Sequence, residues 1–448
     1  MSTVTSSTNT HSTNTQTTPL VATTISPPKK KNEPKSKYEP GEKLGEGIVS
    51  IVHKVKGVAG GSPLAMKRNL SRDDSYFMAR EYSTLRDLEK SKTRHTIRAR
   101  DFVWHNDGTH TIVMDCLLSG SLNQMIQKSP FALEQIITIG CQALEYLEDL
   151  RFHDVVHSDL KPSNMSFDPD SNCLRVYDYS LSSRIGRQVS HSMIQTPPYR
   201  DPDVILGVSR DCRVDTWSLG CILYELCTDR QLFSIANLND EVEIGTILLH
   251  QMVEQLGMPS RLYLLSSPRF ADFFKIVDKN ICFKQAPVKP ICKDNFREIM
   301  LESGKTRGYP SDKVEALTKL IESMLAYENR PHPCQLLKNP LFKDEVCFKI
   351  GVKGKKATVN DKICISHCPN EPANASIKEI FNTSLSSLAM CSCFHLPTVG
   401  SGQLFISFNG NYNLPIEKPK NRQTIILELL SQEGKESKKE EPVKEQKT

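Results

Sequence analysis

The pattern of apolar and polar positions changes character along the chain. Residues 1 to about 37 are rich in Ser, Thr, Pro and Lys and show no apolar periodicity. Such a segment cannot bury a core, so we predict that it is disordered. From Tyr38 to about Val55 the positions alternate, and residues 43–52 predict a strand, a glycine turn and a second strand.

Three further segments extend this strand-rich part. Residues 64–67 predict a short strand, and residues of about 75–90 carry apolar positions at helical spacing. Asn106-Asp107-Gly108 separates two apolar runs and predicts a hairpin. Residues 38 to about 117 are therefore expected to form mostly strands with one helix.

After Gly120 the pattern becomes helical. Apolar spacing predicts helices over residues 132–152, 215–228, 243–256, 317–325 and 333–337. A strand-rich half followed by a helix-rich half predicts an α+β fold with a seam between two lobes.

These changes divide the chain into three predicted regions. A tail covers residues 1–37, a two-lobed domain covers 38–344, and an extension covers 345–448. The first lobe is expected over about 38–117 and the second over about 118–344. The extension contains strand-like runs and ends in the charge-rich sequence GKESKKEEPVKEQKT, which predicts disorder. The sequence assigns the extension no function.

Composition narrows the class of protein. The chain has 448 residues and a net charge of +5, which is weak for this length and does not indicate nucleic-acid binding. It contains no apolar run of roughly 18 residues, so neither a transmembrane helix nor a membrane partner is expected. The first residues lack the features of a secretory signal. The fourteen cysteines therefore indicate reduced thiols and a cytoplasmic or nuclear location.

The first candidate chemistry is a phosphate clamp, which phosphoryl transfer requires together with metal ligands and a carboxylate. Gly45 and Gly47 lie between two predicted strands, where a missing Cβ lets the backbone approach a phosphate. Such glycine turns are common, so this signal is weak alone. Lys67 on the next strand could hold phosphates if Glu81 on the following helix fixes it.

The strongest signal is the octapeptide His157–Asn164. Asp159 could accept the proton of a substrate hydroxyl, and Lys161 could offset charge on the transferring phosphoryl group. Asn164 could ligate a metal. Asp178, a short distance further, would supply the hard oxygen ligands that Mg²⁺ prefers.

From about Tyr38 to Phe342 the chain resembles a eukaryotic protein kinase. The family's five key polar positions are matched in order by Lys67, Glu81, Asp159, Asn164 and Asp178. The resemblance implies a bilobal fold, with an antiparallel sheet and one helix in the N-lobe and a mainly helical C-lobe. It implies transfer of the γ-phosphate of ATP, with Mg²⁺, to serine or threonine of a protein substrate, and it allows regulatory protein partners.

The resemblance also implies the location of the nucleotide. Leu44, Val52 and Ala65 would roof the adenine, and Met114 would be the gatekeeper before the hinge. The full set of implied nucleotide-binding residues is Leu44, Gly45, Gly47, Val52, Ala65, Lys67, Met114, Asp115, Leu117 and Ser166.

The later motifs resemble one branch of the family. Residues 196–203 resemble the end of an activation segment, in which Thr196 would contact the catalytic Asp and Lys. Asp215 should brace the catalytic loop, and Arg330 should pair with Asp203. Three further motifs point to the branch: Tyr199-Arg200, residues 217–222 (WSLGCI) and residues 255–259 (QLGMP). They resemble the group of cyclin-dependent, mitogen-activated and dual-specificity tyrosine-regulated kinases, which often act before proline.

Three serines depart from the family pattern. Ser158 replaces an arginine that normally pairs with a phosphate on the activation segment, so switching by phosphorylation is less expected. Ser166 replaces an apolar residue under the adenine, and Ser180 replaces a glycine whose backbone geometry would strain a serine. These changes favour the alternative of a catalytically impaired pseudokinase that acts as a binding scaffold. The intact charged set favours an active kinase.

Overall fold

The computed structural model describes residues 37–342 and a set of strands between residues 346 and 428. Within the first range it leaves out residues 57–62, 92, 186–193, 209–210, 236–237, 239 and 286–294. The predicted disordered tail, except Lys37, and the charge-rich end therefore lie outside the described residues.

The N-lobe is a five-stranded antiparallel sheet in the order β1-β2-β3-β5-β4. Its strands are β1 (Glu39–Glu46), β2 (Ser50–Lys56), β3 (Leu64–Asn69), β4 (Ala99–Trp104) and β5 (His110–Asp115). The predicted hairpin joins β4 to β5, and Gly108 takes the left-handed conformation there, with φ of 83°. That conformation favours glycine and explains the turn.

The single helix of this lobe, α1 (Ser75–Lys90), covers the predicted range. Its buried residues are Met78, Glu81, Leu85 and Leu88, which follow one another at spacings of three or four. This spacing places them on one face of the helix. The apolar residues bury that face and thereby carry the carboxylate of Glu81 into the interior.

The C-lobe is mainly helical. Its first elements are α2 (Leu122–Ile126), α3 (Leu133–Phe152), β6 (Val155–Val156), β7 (Met165–Asp168), β8 (Cys173–Val176) and β9 (Ser183–Arg184). They are followed by α4 (Pro202–Leu206), α5 (Arg213–Thr228), α6 (Glu241–Leu256), α7 (Arg261–Ser266), α8 (Phe270–Phe273), β10 (Phe274–Val277), β11 (Asn280–Phe283), α9 (Phe296–Thr306), α10 (Ser311–Met324) and α11 (Pro333–Leu336).

Two long helices form the centre of this lobe. Helix α5 is buried at every position after its first, and α3 buries most of its length. Glycines allow close packing around α5: a Cβ added to Gly140 of α3 would lie 3.3 Å from Leu223 of α5, and one added to Gly220 of α5 would lie 3.1 Å from Met324 Cβ of α10. Substitution at either glycine would push against core side chains.

The α+β, two-lobed fold predicted from the sequence is confirmed. The predicted helix ranges agree with α1, α3, α5 and α6 to within two residues. The sequence did not reveal the hairpin β10–β11 because only Phe274 of its first strand is fully buried, so the alternation signal is weak. It also did not reveal α9.

The C-terminal extension contains two sheets. One has the order β15-β12-β18 and the other β14-β13-β16-β17. These strands are β12 (Val346–Lys353), β13 (Lys362–Pro369), β14 (Lys378–Ser384), β15 (Phe394–Leu396), β16 (Gly402–Phe408), β17 (Asn411–Ile416) and β18 (Gln423–Glu428). The strand-like run at residues 403–408 corresponds to β16. None of the described helices in the chain combines the length and apolar character needed to cross a bilayer.

Candidate active site

The glycine turn between β1 and β2 leaves open space for a ligand. A Cβ added to Gly45 would meet no atom within 4 Å, and one added to Gly47 would meet only the Ser50 carbonyl oxygen at 3.8 Å. The Gly47 N–H donates to that same oxygen at 2.8 Å and closes the turn. Ile48 at its tip is 98% exposed. A side chain would occupy the space that a phosphate needs, so these glycines fit the expected nucleotide.

A buried lysine joins the two lobes. Lys67 Nζ on β3 lies 2.8 Å from Glu81 Oε2 on α1, which confirms the predicted ion pair. The same Nζ lies 2.7 Å from Asp178 Oδ1, which follows β8 in the C-lobe. Only 7% of Lys67 and 1% of Glu81 are exposed. A charge buried this deeply requires partners, and the two carboxylates supply them.

The ionisation of the three groups reflects this geometry. Burial opposes the charge of Lys67, but Asp178 and Glu81 raise its pKa above the ordinary value. Burial likewise opposes the charge of Asp178, but Lys67 holds its pKa well below the ordinary value. For Glu81 the effect of burial is larger, and its pKa is raised. Lys67 and Asp178 are therefore both charged at neutral pH.

The catalytic loop lies between β6 and β7 and orients the carboxylate of Asp159 from both sides. Asp159 Oδ1 accepts from the Thr196 hydroxyl at 2.7 Å and from its N–H at 3.1 Å. Asp159 Oδ2 lies 2.8 Å from Lys161 Nζ, which also donates to the Thr196 hydroxyl at 2.9 Å. The contacts predicted for Thr196 are confirmed. This carboxylate is held in one orientation before any substrate binds.

A second carboxylate fixes the backbone of the loop. The N–H groups of His157 and Ser158 donate to Asp215 on α5 at 2.7 and 3.0 Å, so the predicted brace is confirmed. Ser158 lies in the left-handed region with φ of 65° and is buried. Its side chain is too short to reproduce the bidentate contacts of an arginine. Ser190 and Ser192, two serines that precede Thr196 in the chain, lie outside the described residues.

Asn164 and Asp178 are the candidate metal ligands. Asn164 Nδ2 donates to Asp159 O at 2.9 Å and Asp159 Oδ2 at 3.1 Å, which leaves its amide oxygen available. The described residues contain no group of three or more His, Cys, Asp or Glu that could hold a metal. Mg²⁺ does not need one, because it is commonly bound through one or two protein oxygens plus substrate phosphates and water. This donor set fits Mg²⁺.

The expectation that Ser180 is strained is wrong. Positive φ occurs at Asp178, with φ of 67°, and not at Ser180. Ser180 therefore needs no glycine-like freedom, and its hydroxyl donates to Asp178 Oδ1 at 2.8 Å. Tyr179 is fully buried beneath α1, where its N–H donates to Glu81 Oε1 at 3.3 Å and its hydroxyl to Thr96 at 3.1 Å.

The residues expected around the adenine come from both lobes. Ala65 and Met114 are buried, Val52 and Leu117 are half-buried, and Leu44 is exposed. Asp115 forms an ion pair with Arg100 at 2.5 Å. Ser166 on β7 is only 3% exposed and presents a hydroxyl where an apolar floor was expected.

The predicted pairing of Arg330 with Asp203 is wrong. Arg330 Nη1 instead donates to Asp201 Oδ2, and both side chains are almost fully buried. Asp203 accepts from the Tyr263 hydroxyl at 2.5 Å. Burial raises the pKa of Asp201 to about 7, and the charge of Arg330 opposes this. Arg330 therefore pairs with the acid two positions before the expected one, while Tyr263 engages Asp203.

Gln195 is a functional candidate that the sequence did not reveal. It precedes Thr196, takes the left-handed conformation with φ of 59°, and is buried. Its carbonyl oxygen accepts from Arg200 Nε at 3.3 Å and Nη2 at 3.1 Å. Its side chain donates to Val214 O and Ser218 Oγ, each at 3.0 Å. Glutamine is not a typical left-handed residue, so no local signal pointed to it.

Comparison with known families agrees with this geometry. The model of the protein kinase domain matches residues 38–342, and the chain belongs to that family. It is 33% identical over 194 residues to the putative dual specificity tyrosine-phosphorylation-regulated kinase 3 homolog of Drosophila melanogaster. It is 26% identical over 325 residues to homeodomain-interacting protein kinase 1 of Caenorhabditis elegans. It is 30% identical over 179 residues to serine/threonine-protein kinase AFC3 of Arabidopsis thaliana.

These alignments are partial on both sides. They cover 42%, 69% and 34% of this chain, respectively, and 22%, 37% and 44% of the relatives. The predicted family and its branch, the group that includes the dual-specificity tyrosine-regulated kinases, are supported. The family implies use of ATP with a divalent metal, generally Mg²⁺, and a protein substrate.

Proposed function

We propose that this chain is an active protein kinase that phosphorylates serine and threonine. The observation that carries the proposal is the position of Asp159, whose two oxygens are held by Thr196 and Lys161. Of the three serine departures, only Ser158 replaces a charged residue, and the arginine that it replaces pairs with a phosphate on the activation segment and takes no part in the transfer itself. The ion pair of Lys67 with Glu81 is also formed, as productive phosphate binding requires.

Each polar residue has one task in this reaction. Bound ATP and Mg²⁺ supply the phosphoryl group and its counter-charge. Lys67 orients the phosphates, while Asp178 and Asn164 hold the metal. Asp159 accepts the hydroxyl proton as the substrate oxygen attacks, and Lys161 stabilises the negative charge of the transferring group.

The backbone next to Thr196 supports a preference for proline after the phosphorylated residue. Thr196 contacts Asp159, so the residue that follows the substrate hydroxyl would lie close to Gln195 and Thr196. The Gln195 carbonyl is occupied by Arg200 and offers no acceptor to a substrate N–H. Leaving an N–H unpaired is costly, and proline has none.

The first experiment measures transfer of ³²P from ATP-Mg²⁺ to two peptides that differ only in the residue after serine, proline or alanine. We expect transfer to both, with about a tenfold preference for proline in kcat/KM. Asp159→Asn should reduce transfer at least about 100-fold because the general base is lost. Transfer that persists in this variant would come from a contaminating kinase.

A second variant tests the basis of the peptide preference. Arg200→Met frees the Gln195 carbonyl, so the proline preference should shrink towards equality. Glu241→Gln is the matched control, because Glu241 contacts the other side of Arg200 at 2.7 Å. Equal use of both peptides by the unmodified protein would contradict the proline preference. Nucleotide binding without transfer would favour the pseudokinase scaffold.

A further inference from the structure

The side chain of Asn69 joins four segments of the N-lobe. Asn69 is the last residue of β3, and only 2% of it is exposed. Its Oδ1 accepts from the His110 N–H of β5 at 2.5 Å. Its Nδ2 donates to the Ser71 carbonyl oxygen at 2.5 Å and to the Ser75 hydroxyl of α1 at 3.1 Å. A buried amide that uses both its oxygen and its nitrogen in this way is fixed in one orientation.

Ser75, the first residue of α1, extends these contacts to the turn between β4 and β5. Its hydroxyl donates to the Gly108 carbonyl oxygen at 2.6 Å. His110 Nδ1 lies 3.4 Å from the Ser75 carbonyl oxygen. A Cβ added to Gly108 would lie 2.9 Å from the Arg72 side chain, so the turn packs directly against the segment that leads into α1. The start of α1 is therefore attached to the β4–β5 hairpin through both its side chain and its backbone.

Helix α1 contacts the same hairpin again two turns further along. Tyr82 stacks on Phe102 of β4, with ring centroids 4.7 Å apart and an angle of 30° between the planes. Ser75 and Tyr82 are seven residues apart, which places them on the same side of the helix. Glu81 lies next to the second contact in the chain. A helix held at two points along one side cannot shift or tilt without breaking one of them.

The contacts of α1 with the hairpin contain no residue of the activation segment. The ion pair of Lys67 with Glu81 is formed although Ser158 lacks the guanidinium that would bind a phosphate on that segment. Asp87 of α1 also pairs with Arg184 of β9, but at 3.5 Å and with both side chains about half exposed. An exposed pair of this kind contributes little to stability. The position of α1 is therefore set mainly within the N-lobe and by the Lys67 cluster.

We propose that Asn69 is a positioning residue, which holds the start of α1 on the β4–β5 hairpin and so keeps Glu81 on Lys67 without a phosphate on the activation segment. The inference rests on the proposed function, because the ion pair has a catalytic task only in a chain that transfers phosphate. An outward shift of α1 would separate Glu81 from Lys67. Asn69 acts on the reaction through Glu81 and is not itself a catalytic residue.

The first test is a double-variant cycle on Asn69 and Glu81 in the full chain. Asn69→Ala should lower the kcat of ³²P transfer to a peptide about tenfold, because α1 loses its attachment to the hairpin. Glu81→Gln already weakens the ion pair, so Asn69→Ala added to it should lower kcat by no more than about a further twofold. A merely structural role would lower the unfolding midpoint and leave the kcat of the folded protein unchanged.

The second test is removal of phosphate from the purified protein with a phosphatase, checked by mass spectrometry. The initial rate of ³²P transfer should stay within about twofold of the untreated rate, because the hairpin contacts already hold α1.

Two further variants complete the set. Ser75→Ala loses the bond to Gly108 and should lower kcat about threefold, and it replaces Asn69→Ala if that variant does not fold. Tyr38→Phe is the matched control, because it loses a buried hydrogen bond of the same lobe, to Asp101 at 2.9 Å, and should leave kcat unchanged.

Three results would overturn the inference. They are an unchanged kcat in Asn69→Ala, an equal loss in the presence and absence of Glu81→Gln, and a loss of about tenfold or more after phosphatase treatment. If the unmodified chain transfers no phosphate, the proposed function fails, and hydrogen exchange tests the positioning alone. Amide exchange in the first two turns of α1 should then be at least about tenfold faster in Asn69→Ala and unchanged in Tyr38→Phe. Equal exchange in all three proteins would show that Asn69 does not hold the helix.

Discussion

The two sides of the nucleotide cleft follow the family pattern to different degrees. On the phosphate side, Lys67, Glu81 and Asp178 are the expected residues, and Lys67 Nζ lies within 2.8 Å of both carboxylates. On the base side, Ser166 replaces the expected apolar residue. The phosphate side keeps the residues of the family pattern, and the base side departs from it at Ser166.

The physical reason lies in what each side must hold. A buried charge that loses its partner is strongly destabilising, so no member of the Lys67 cluster can change alone. An apolar surface needs only the right volume and shape, which different residues can supply together. The ion pair of Arg330 with Asp201, which we call the anchor of the activation segment, is an intermediate case. Arg330 is the expected residue, but its partner is Asp201 and not Asp203.

The largest expected effect is on the phosphate side. Lys67→Met should lower kcat/KM for peptide phosphorylation at least about 100-fold, because a preorganised positive charge is lost. It should also reduce the free energy of unfolding by about 3 kcal/mol, since two carboxylates lose their shared cation. Urea denaturation and ³²P transfer measure the two effects. Lys56→Met, on the exposed end of β2, should change neither. If the activity of Lys67→Met stayed within tenfold of that of the unmodified protein, the phosphate side would not be the more sensitive side of the cleft.

The anchor of the segment should show a smaller effect that depends on pH. Arg330→Leu leaves Asp201 buried without its cation and should cost about 3 kcal/mol of unfolding free energy. The folded-state pKa of Asp201, about 7, lies above its ordinary value of 3.8, so the folded form binds the proton more tightly. Its contribution to stability is therefore present at low pH and is lost as pH rises through about 7. The deficit of Arg330→Leu should be larger at pH 8 than at pH 5.5.

Two double variants decide which acid causes the pH dependence of the Arg330→Leu deficit. Adding Asp201→Asn to Arg330→Leu should remove most of the pH dependence, because the buried carboxyl no longer ionises. Adding Asp203→Asn should leave most of it, because Asp203 is engaged by Tyr263. Urea denaturation measures both effects. If Asp203→Asn removed most of the pH dependence and Asp201→Asn left it, the result would support the predicted pairing of Arg330 with Asp203.

The smallest effect is expected at Ser180. The residue lies outside the left-handed region, so Ser180→Gly releases no strain. The variant loses the hydrogen bond to Asp178 and gains backbone freedom, so stability should fall by about 1 kcal/mol. Activity should stay within about threefold, because Asp178 keeps Lys67. A more stable glycine variant would show that the serine is strained after all.

The sequence predicted those parts of the fold and site that depend on near neighbours along the chain. The apolar spacing over residues 75–90 predicted helix α1, and the family match predicted that Glu81 meets Lys67. The octapeptide at Asp159 places its polar groups on one tight loop. The hydrogen bonds of Asn69 to β5 and α1 were not predicted, because they depend on how these elements pack against one another.

What the sequence determined by itself is the two-lobed fold with helices α1, α3, α5 and α6, the family and the identity of the charged residues. These follow from periodicity, turn chemistry and short motifs, which neighbouring residues set. Only the tertiary structure decided that Arg330 contacts Asp201, that Gln195 turns its carbonyl to Arg200, and that Ser180 is unstrained. Asp201 and Arg330 are 129 positions apart. Whether Arg330 reaches Asp201 or Asp203 depends on differences of a few ångströms in tertiary packing. No local sequence pattern carries that information.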